Sequence, residues 1–176
     1  AEPIKALFID VRQNWLFVVN GRAHMDVFNL PQRSLNGRYK LLADADGEVT
    51  SSSQLLGGIS LMIGDSKGGI GQWFMARDPD DQQRLKPIRD FQMGDSAIRQ
   101  IVPEQRRKGF VALNAAGELG VFHSTAQRTL LIEPVAANAS LLALSPRANK
   151  LLVEAGDKLL PLKLDNPHPE ISWSSL

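Results

Sequence analysis

Short apolar runs recur along the whole chain between Gly, Asn, Asp and Pro, and few windows hold a helical period for three turns. Runs rich in Val, Ile, Leu, Phe and Trp between turn-forming residues are typical of β-strands. The pattern therefore predicts a mainly β protein. The predicted strands cover residues 4–9, 15–20, 24–30, 39–43, 54–63, 70–76, 85–92, 97–102, 109–114, 119–123, 129–133, 140–144, 150–154 and 158–164.

Four hairpin-like segments share one order of features: an apolar strand, a turn that contains glycine, and a second strand that ends in bulky apolar residues. They begin at Leu16, Leu61, Phe110 and Leu151. The turn glycines, 48, 48 and 39 residues apart, are Gly21, Gly69, Gly117 and Gly156. Since propeller blades repeat about every 40–50 residues, these intervals predict a propeller-like array.

The predicted fold is all-β: about four four-stranded antiparallel blades in a partial or small propeller. The third segment extends to a four-strand meander, AIRQIV, GFVALN, ELGVFH and RTLLIE, and the fourth resembles a WD-repeat blade in rhythm, without its Gly-His or Trp-Asp dipeptide. We expect one domain, 1–176, with approximate repeats 1–46, 47–95, 96–136 and 137–176. Because one blade cannot bury both its faces, four blades could close a small ring, form half of a larger ring, or self-associate with a second copy.

The amino-acid composition excludes some classes of partner and site but does not identify a partner. The 20 Lys and Arg against 19 Asp and Glu give a net charge of +1, which does not favour nucleic acid as a partner. Cysteine is absent, so disulfides and thiolate metal sites are excluded. The most apolar region, 130–144, is interrupted by Glu133, Pro134 and Asn138, short of the roughly 18 apolar residues of a membrane span. We therefore expect a soluble segment without an export leader.

The pentapeptide GDSKG, centred on Ser66, fits the G-x-S-x-G pattern of the nucleophile elbow in serine hydrolases. An elbow needs a helix after the serine, whereas the strand-like GGIGQWF follows here. We predict a hairpin turn and keep a serine hydrolase that uses Ser66 as a less favoured alternative. No Ser or Thr follows a Gly-Lys pair, so a Walker A phosphate loop is not predicted. We predict no catalytic residue, cofactor or metal.

A run of cations, Arg106, Arg107 and Lys108, lies between two predicted strands. Such residues usually keep a hairpin tip soluble, and they are also a candidate surface contact for an anion or a protein.

Two stretches, GGISLMIGDSKGGIGQWF at 57–74 and HPEISWSSL at 168–176, resemble the large extra-membrane insert of the long-form permease of phosphate-specific ABC transporters. The resemblance implies a non-catalytic, protein-docking or regulatory domain at the periplasmic face of the bacterial inner membrane. It also implies three partners: the remainder of the permease, the ATPase subunit acting through the membrane domain, and the periplasmic phosphate-binding protein. The alternative is a free-standing β-propeller interaction module.

Overall fold

The computed structural model describes residues 3–43, 46–105, 108–147, 149–164 and 173–175. Within these residues the chain forms strands and turns and no helix, because turn-forming residues interrupt every apolar run after a few positions. The strands are β1 (Ile4–Ile9), β2 (Trp15–Asn20), β3 (His24–Asn29), β4 (Ser34–Lys40), β5 (Val49–Gln54), β6 (Leu61–Asp65), β7 (Gly69–Arg77), β8 (Gln83–Gln92), β9 (Ile98–Pro103), β10 (Gly109–Asn114), β11 (Glu118–His123), β12 (Arg128–Pro134), β13 (Ala139–Leu144), β14 (Lys150–Ala155), β15 (Lys158–Leu164) and β16 (Trp173–Ser175).

Each consecutive group of four strands pairs in chain order to form an antiparallel meander. We name these sheets 1 (β1–β4), 2 (β5–β8), 3 (β9–β12) and 4 (β13–β16). The predicted all-β array of four four-stranded antiparallel blades is confirmed. The single domain and the four repeat boundaries stay predictions.

One predicted strand, 54–63, is wrong, because the structure divides it between β5 and β6. The intervening turn, 55–60, contains Gly57 and Gly58 with φ of +95° and +62°, which a strand cannot accommodate. The serine-rich β5 was not predicted, because its polar side chains do not give the apolar pattern of a strand. It is a strand because it pairs with β6. Likewise the predicted strand 39–43 begins too late: β4 starts at Ser34 and ends at Lys40.

Three hydrophobic clusters lie between consecutive sheets. The first joins sheets 1 and 2, with Phe17 and Trp73 among its members. The second joins sheets 2 and 3 and contains Phe91 and Phe110. The third joins sheet 3 to sheet 4. In the described part of the chain no cluster joins sheet 4 back to sheet 1, so the four sheets form an open stack.

Sheets 2 and 3 are therefore buried on both faces, and all six residues of β10 are buried. The two sheets approach closely at Gly64, where an added Cβ would lie 2.7 Å from Cγ2 of Ile98. A buried polar contact also crosses this interface, because the hydroxyl of Ser124 donates to Oε1 of Gln72 at 2.8 Å. Such a satisfied pair fixes how the sheets align without leaving an unpaired polar group.

Candidate docking surface

The first and third turns of every antiparallel meander lie at one end of its sheet, and the second turn lies at the other. At the first of these ends, the turns between β1 and β2 and between β5 and β6 meet. The backbone N–H of Val11 donates to the carbonyl of Gly58 at 3.0 Å. The side-chain amide of Gln54 donates to the carbonyls of Ile9 and Gly58, both at 3.0 Å. These bonds fix the turn of sheet 1 against that of sheet 2.

Asp10 gives the β1–β2 turn its shape. Its Oδ1 accepts the backbone N–H groups of Asn14 and Trp15, both at 2.7 Å, and its Oδ2 accepts that of Arg12 at 3.2 Å. Gln13 takes a left-handed conformation with φ of +57°. A carboxylate that satisfies three turn amides holds the loop in one conformation, so the side chains it carries are presented in a defined arrangement.

Three apolar side chains are exposed where these turns meet. Val11, Leu56 and Ile59 are 61%, 49% and 52% exposed. Clustered exposed apolar side chains are typical of protein contact sites, whereas scattered ones need no explanation. These three belong to two turns joined by a backbone hydrogen bond, which favours a contact site.

Two neighbouring cavities open at this end and share Ile59 and Phe74 in their walls. The first, of about 490 Å³, lies between sheets 1 and 2 and is also lined by Trp15 and Met75. The second, of about 460 Å³, lies between sheets 2 and 3 and is also lined by Leu55. Both fall within the roughly 300–1,000 Å³ of ligand pockets. Their combined apolar floor can accept side chains of a partner.

The charge of the second cavity is positive. Among the described residues, the charged groups that line it are Arg89, which is half-buried, and Lys108, which is exposed. We define the docking surface as six residues at this end. They are Val11, Arg12, Leu56, Ile59, Arg89 and Lys108.

Ion pairs engage two of the three carboxylates in the neighbouring β7–β8 turn. The Arg77 guanidinium donates to the carboxylate of Asp81, and this hydrogen bond raises the pKa of Arg77. At Asp78, the backbone N–H of Gln82 lowers the carboxyl pKa, with a further contribution from the hydrogen bond donated by Arg84. These carboxylates are thus engaged by partners of their own turn.

The predicted surface cations are only partly placed by the structure. Lys108 lines the second cavity, whereas Arg106 and Arg107 lie outside the described residues. Sequence patterning did not single out Leu56, Ile59 or Arg89. The only available signal was the Leu-Leu pair before Gly57 and Gly58, in which Leu55 is 8% and Leu56 49% exposed.

The four predicted turn glycines lie in or beside the second turn of each sheet. Gly117 and Gly156 have φ of +78° and +67°. Gly69 is the first residue of β7, and the left-handed residue of that turn is Gly68, with φ of +82°. Gly21 lies in the β2–β3 turn, where a non-glycine residue, Ala23, has φ of +58°.

Ser66 lies in the β6–β7 hairpin turn, and a strand follows it at Gly69. Its hydroxyl oxygen accepts the backbone N–H of Glu48 at 3.1 Å, and its own N–H donates to the Glu48 carbonyl at 2.9 Å. His123, one of the imidazoles that follow it in the sequence, lies at the end of β11, where Nδ1 accepts the N–H of Ala126. The strand–turn–helix geometry of a nucleophile elbow is therefore not formed at Ser66.

The glycine-rich turn after Asp65 resembles a phosphate-binding loop, but its backbone amides are bonded to the side chain of Asp65. Its Oδ1 accepts the backbone N–H groups of Lys67 at 2.8 Å and Gly69 at 2.9 Å. Those amides are the kind of donors that would cradle a phosphate, and here they bind the protein's own carboxylate. Asn114 does the same in sheet 3, where Oδ1 accepts the N–H groups of Ala116 and Glu118.

Within the described ranges, three or more His, Asp or Glu side chains nowhere gather as metal ligands would. The same ranges contain no helix with the length and hydropathy of a membrane span.

Comparison of the chain with protein-family models found no matching family, and comparison with curated proteins found no match.

Proposed function

We propose that this chain is a non-catalytic docking module that belongs to an ABC-type phosphate import permease at the periplasmic face of the bacterial inner membrane. The docking role rests on the exposed apolar and basic side chains of the docking surface. There, Val11, Leu56 and Ile59 stand exposed above two cavities, and Arg89 and Lys108 line one of them. Apolar anchors beside cations are suited to a protein partner.

The chemistry of this surface defines the partner segment. The shared walls at Ile59 and Phe74 suit an apolar or aromatic side chain. The two cations of the second cavity suit carboxylates that flank that side chain, since charge complementarity guides the encounter of partners. We therefore propose a partner loop that combines a bulky apolar residue with Asp or Glu.

The permease context rests on the resemblance of residues 57–74 and 168–176 to the insert of the long-form phosphate permease. The first stretch overlaps the turn 55–60 and supplies Ile59 to the docking surface, whereas Leu56 directly precedes it. In that context the partner is the periplasmic phosphate-binding protein, which must dock on the permease to deliver its cargo.

Calorimetric titration of the chain with the phosphate-binding protein, at low and high salt, tests this function. We expect binding in the absence of free phosphate, weaker at high salt because Lys108 is exposed and the cations are screened. The double variant Arg89→Glu/Lys108→Glu should weaken binding by about tenfold or more, because it places like charge against the partner's carboxylates.

The matched control is Arg22→Glu/Lys158→Glu, which reverses two exposed cations at the opposite end of the sheets. It should bind as the wild type does. If both double variants weakened binding equally, the effect would come from the change in net charge and not from the docking surface. If the wild type did not bind the phosphate-binding protein, the proposal would be contradicted. Titrations with free phosphate and with sulfate complete the test. If the chain bound phosphate but neither sulfate nor the phosphate-binding protein, it would act as a phosphate sensor and not as a docking module.

A further inference from the structure

The outer face of sheet 1 is apolar and uncovered. A row of apolar side chains crosses all four strands through the register pairs Ile9–Leu16, Leu16–Phe28 and Phe28–Leu35. Leu7, Ile9 and Leu35 on this face are 59%, 51% and 57% exposed. The opposite face of the same sheet is part of the core. The outer face therefore combines an exposed apolar row with the polar pairs Asp26–Arg38 and His24–Lys40 on the same side of the sheet.

The outer face of sheet 4 has the same character. Leu141, Leu152 and Leu159 are 60%, 41% and 64% exposed, while Leu151 and Val153, which point to the other side of β14, are buried. Thus both ends of the open stack present apolar sheet faces to solvent. On sheet 4 the register places Glu154 between Leu141 and Leu159. Exposed apolar patches of this kind mark interaction sites.

The two uncovered faces are of opposite types. We call the face of a sheet that is directed toward the next sheet in the chain its forward face, and the other its backward face. Each of the three core clusters pairs the forward face of one sheet with the backward face of the next. Sheet 1 exposes its backward face and sheet 4 its forward face. The pairing that the chain uses three times could therefore be made once more between them.

We propose that a second copy of this chain covers both faces, with sheet 4 of each copy packed on sheet 1 of the other in a two-fold ring of eight sheets. In the described residues, sheets 1 and 4 of one copy share no core cluster, so both faces are open to a second copy. Eight sheets lie within the four to eight blades typical of closed propellers, whereas three copies would give about twelve. Closed two-fold assembly is also the commonest form of homo-oligomer.

The size of the faces suits a stable dimer. Four strands of about six residues form a face of roughly 19 Å by 20 Å, or about 400 Å². Two interfaces, each made of two such faces, would bury roughly 1,600 Å², the typical size of a stable protein–protein interface.

The carboxylates in the middle of these faces accept hydrogen bonds. On sheet 1, Nε of Arg38 donates to Oδ1 of Asp26 at 2.6 Å, and Nη2 donates to Oδ2 at 2.9 Å. This hydrogen bond is the main cause of the lowered pKa of Asp26. On sheet 4, the Ser140 hydroxyl donates to the Glu154 carboxylate. Hydrogen-bonded carboxylates oppose burial less than carboxylates without a donor do, and the ion pair of Asp26 with Arg38 lowers that cost further on sheet 1.

Sedimentation velocity of the wild-type chain tests the proposal. We expect twice the 19.3 kDa mass of one chain, and a monomer or a trimer would overturn the ring. Leu35→Glu on sheet 1 and Leu159→Glu on sheet 4 should each raise the dimer dissociation constant by about a hundredfold or more, because each places a charge in both interfaces. Leu56→Glu, at a similarly exposed leucine of the docking surface, should leave the dimer intact.

Mixing the two variants distinguishes the ring from other dimers. A Leu35→Glu copy and a Leu159→Glu copy can form one ring interface that carries no substitution, so the mixture should recover a dimer that neither variant forms alone. If the dimer formed through sheet 1 alone, Leu159→Glu would leave its dissociation constant unchanged. That result, or a mixture that stays monomeric while both variants keep the wild-type circular dichroism spectrum, would overturn the reciprocal pairing.

Discussion

Replacement of Gly117 by alanine is expected to lower the free energy of unfolding by about 3 kcal/mol, the sum of left-handed strain and overpacking. Gly117 has φ of +78°, and an added Cβ would overlap the carbonyl oxygen of Ala136 and lie 2.5 Å from the carbonyl carbon. Because both obstacles are backbone atoms, no side-chain rotation relieves the overlap. The same segment is tied to the turn, since the N–H of Val135 donates to the Gly117 carbonyl at 2.9 Å.

Gly57→Ala is the matched control for this prediction. Gly57 also has positive φ, +95°, but an added Cβ there would meet no described atom within 4 Å. Its cost should be conformational strain alone, about 1–2 kcal/mol. Urea unfolding of the wild type and both variants provides the measurement. Equal losses for the two variants would show that the β10–β11 turn does not pack against the β12–β13 connection as described.

Truncation of Phe110 to alanine is expected to cost about 3–5 kcal/mol of the free energy of unfolding. Phe110 is fully buried between sheets 2 and 3. Its ring stacks on that of Phe122 with centroids 4.8 Å apart, and it lies nearly perpendicular to the ring of Phe91 with centroids 5.2 Å apart. Removal of the ring would leave a cavity that two neighbouring strands cannot close without shifting.

Leu56→Ala is the control for the Phe110 variant, because Leu56 is half exposed on the docking surface. Its expected change is within about 0.5 kcal/mol, as for ordinary surface substitutions. A loss for Phe110→Ala no larger than that of the control would contradict the packing of sheet 2 on sheet 3.

Much of the fold could be predicted from the sequence because sheets 2 and 3 follow the same local rules. Asp65 and Asn114 each cap a hairpin turn, with Gly68 and Gly117 in the left-handed position three residues later. Such turn chemistry is visible in the sequence. In contrast, β5 is a strand because it pairs with β6, and pairing between distant or polar segments leaves little local signal.

The docking surface was harder to predict for a related reason. Lys108 belongs to a visible run of cations, but the exposure of Leu56 and Ile59 depends on the left-handed glycines that separate them. Arg89 lies within β8 and reaches the cavity only because sheet 3 packs beside sheet 2. Exposure and proximity of this kind arise from tertiary packing and cannot be inferred from spacing along the chain.

Hydrogen–deuterium exchange of the chain with and without the phosphate-binding protein tests the docking role most directly. We expect slower exchange at the amides of residues 55–60, 88–89, 108–109 and 124–125, which surround the second cavity. The turns at the opposite end, 21–23 and 156–157, should exchange as in the free chain. Unchanged exchange throughout, or protection confined to that opposite end, would contradict the docking surface.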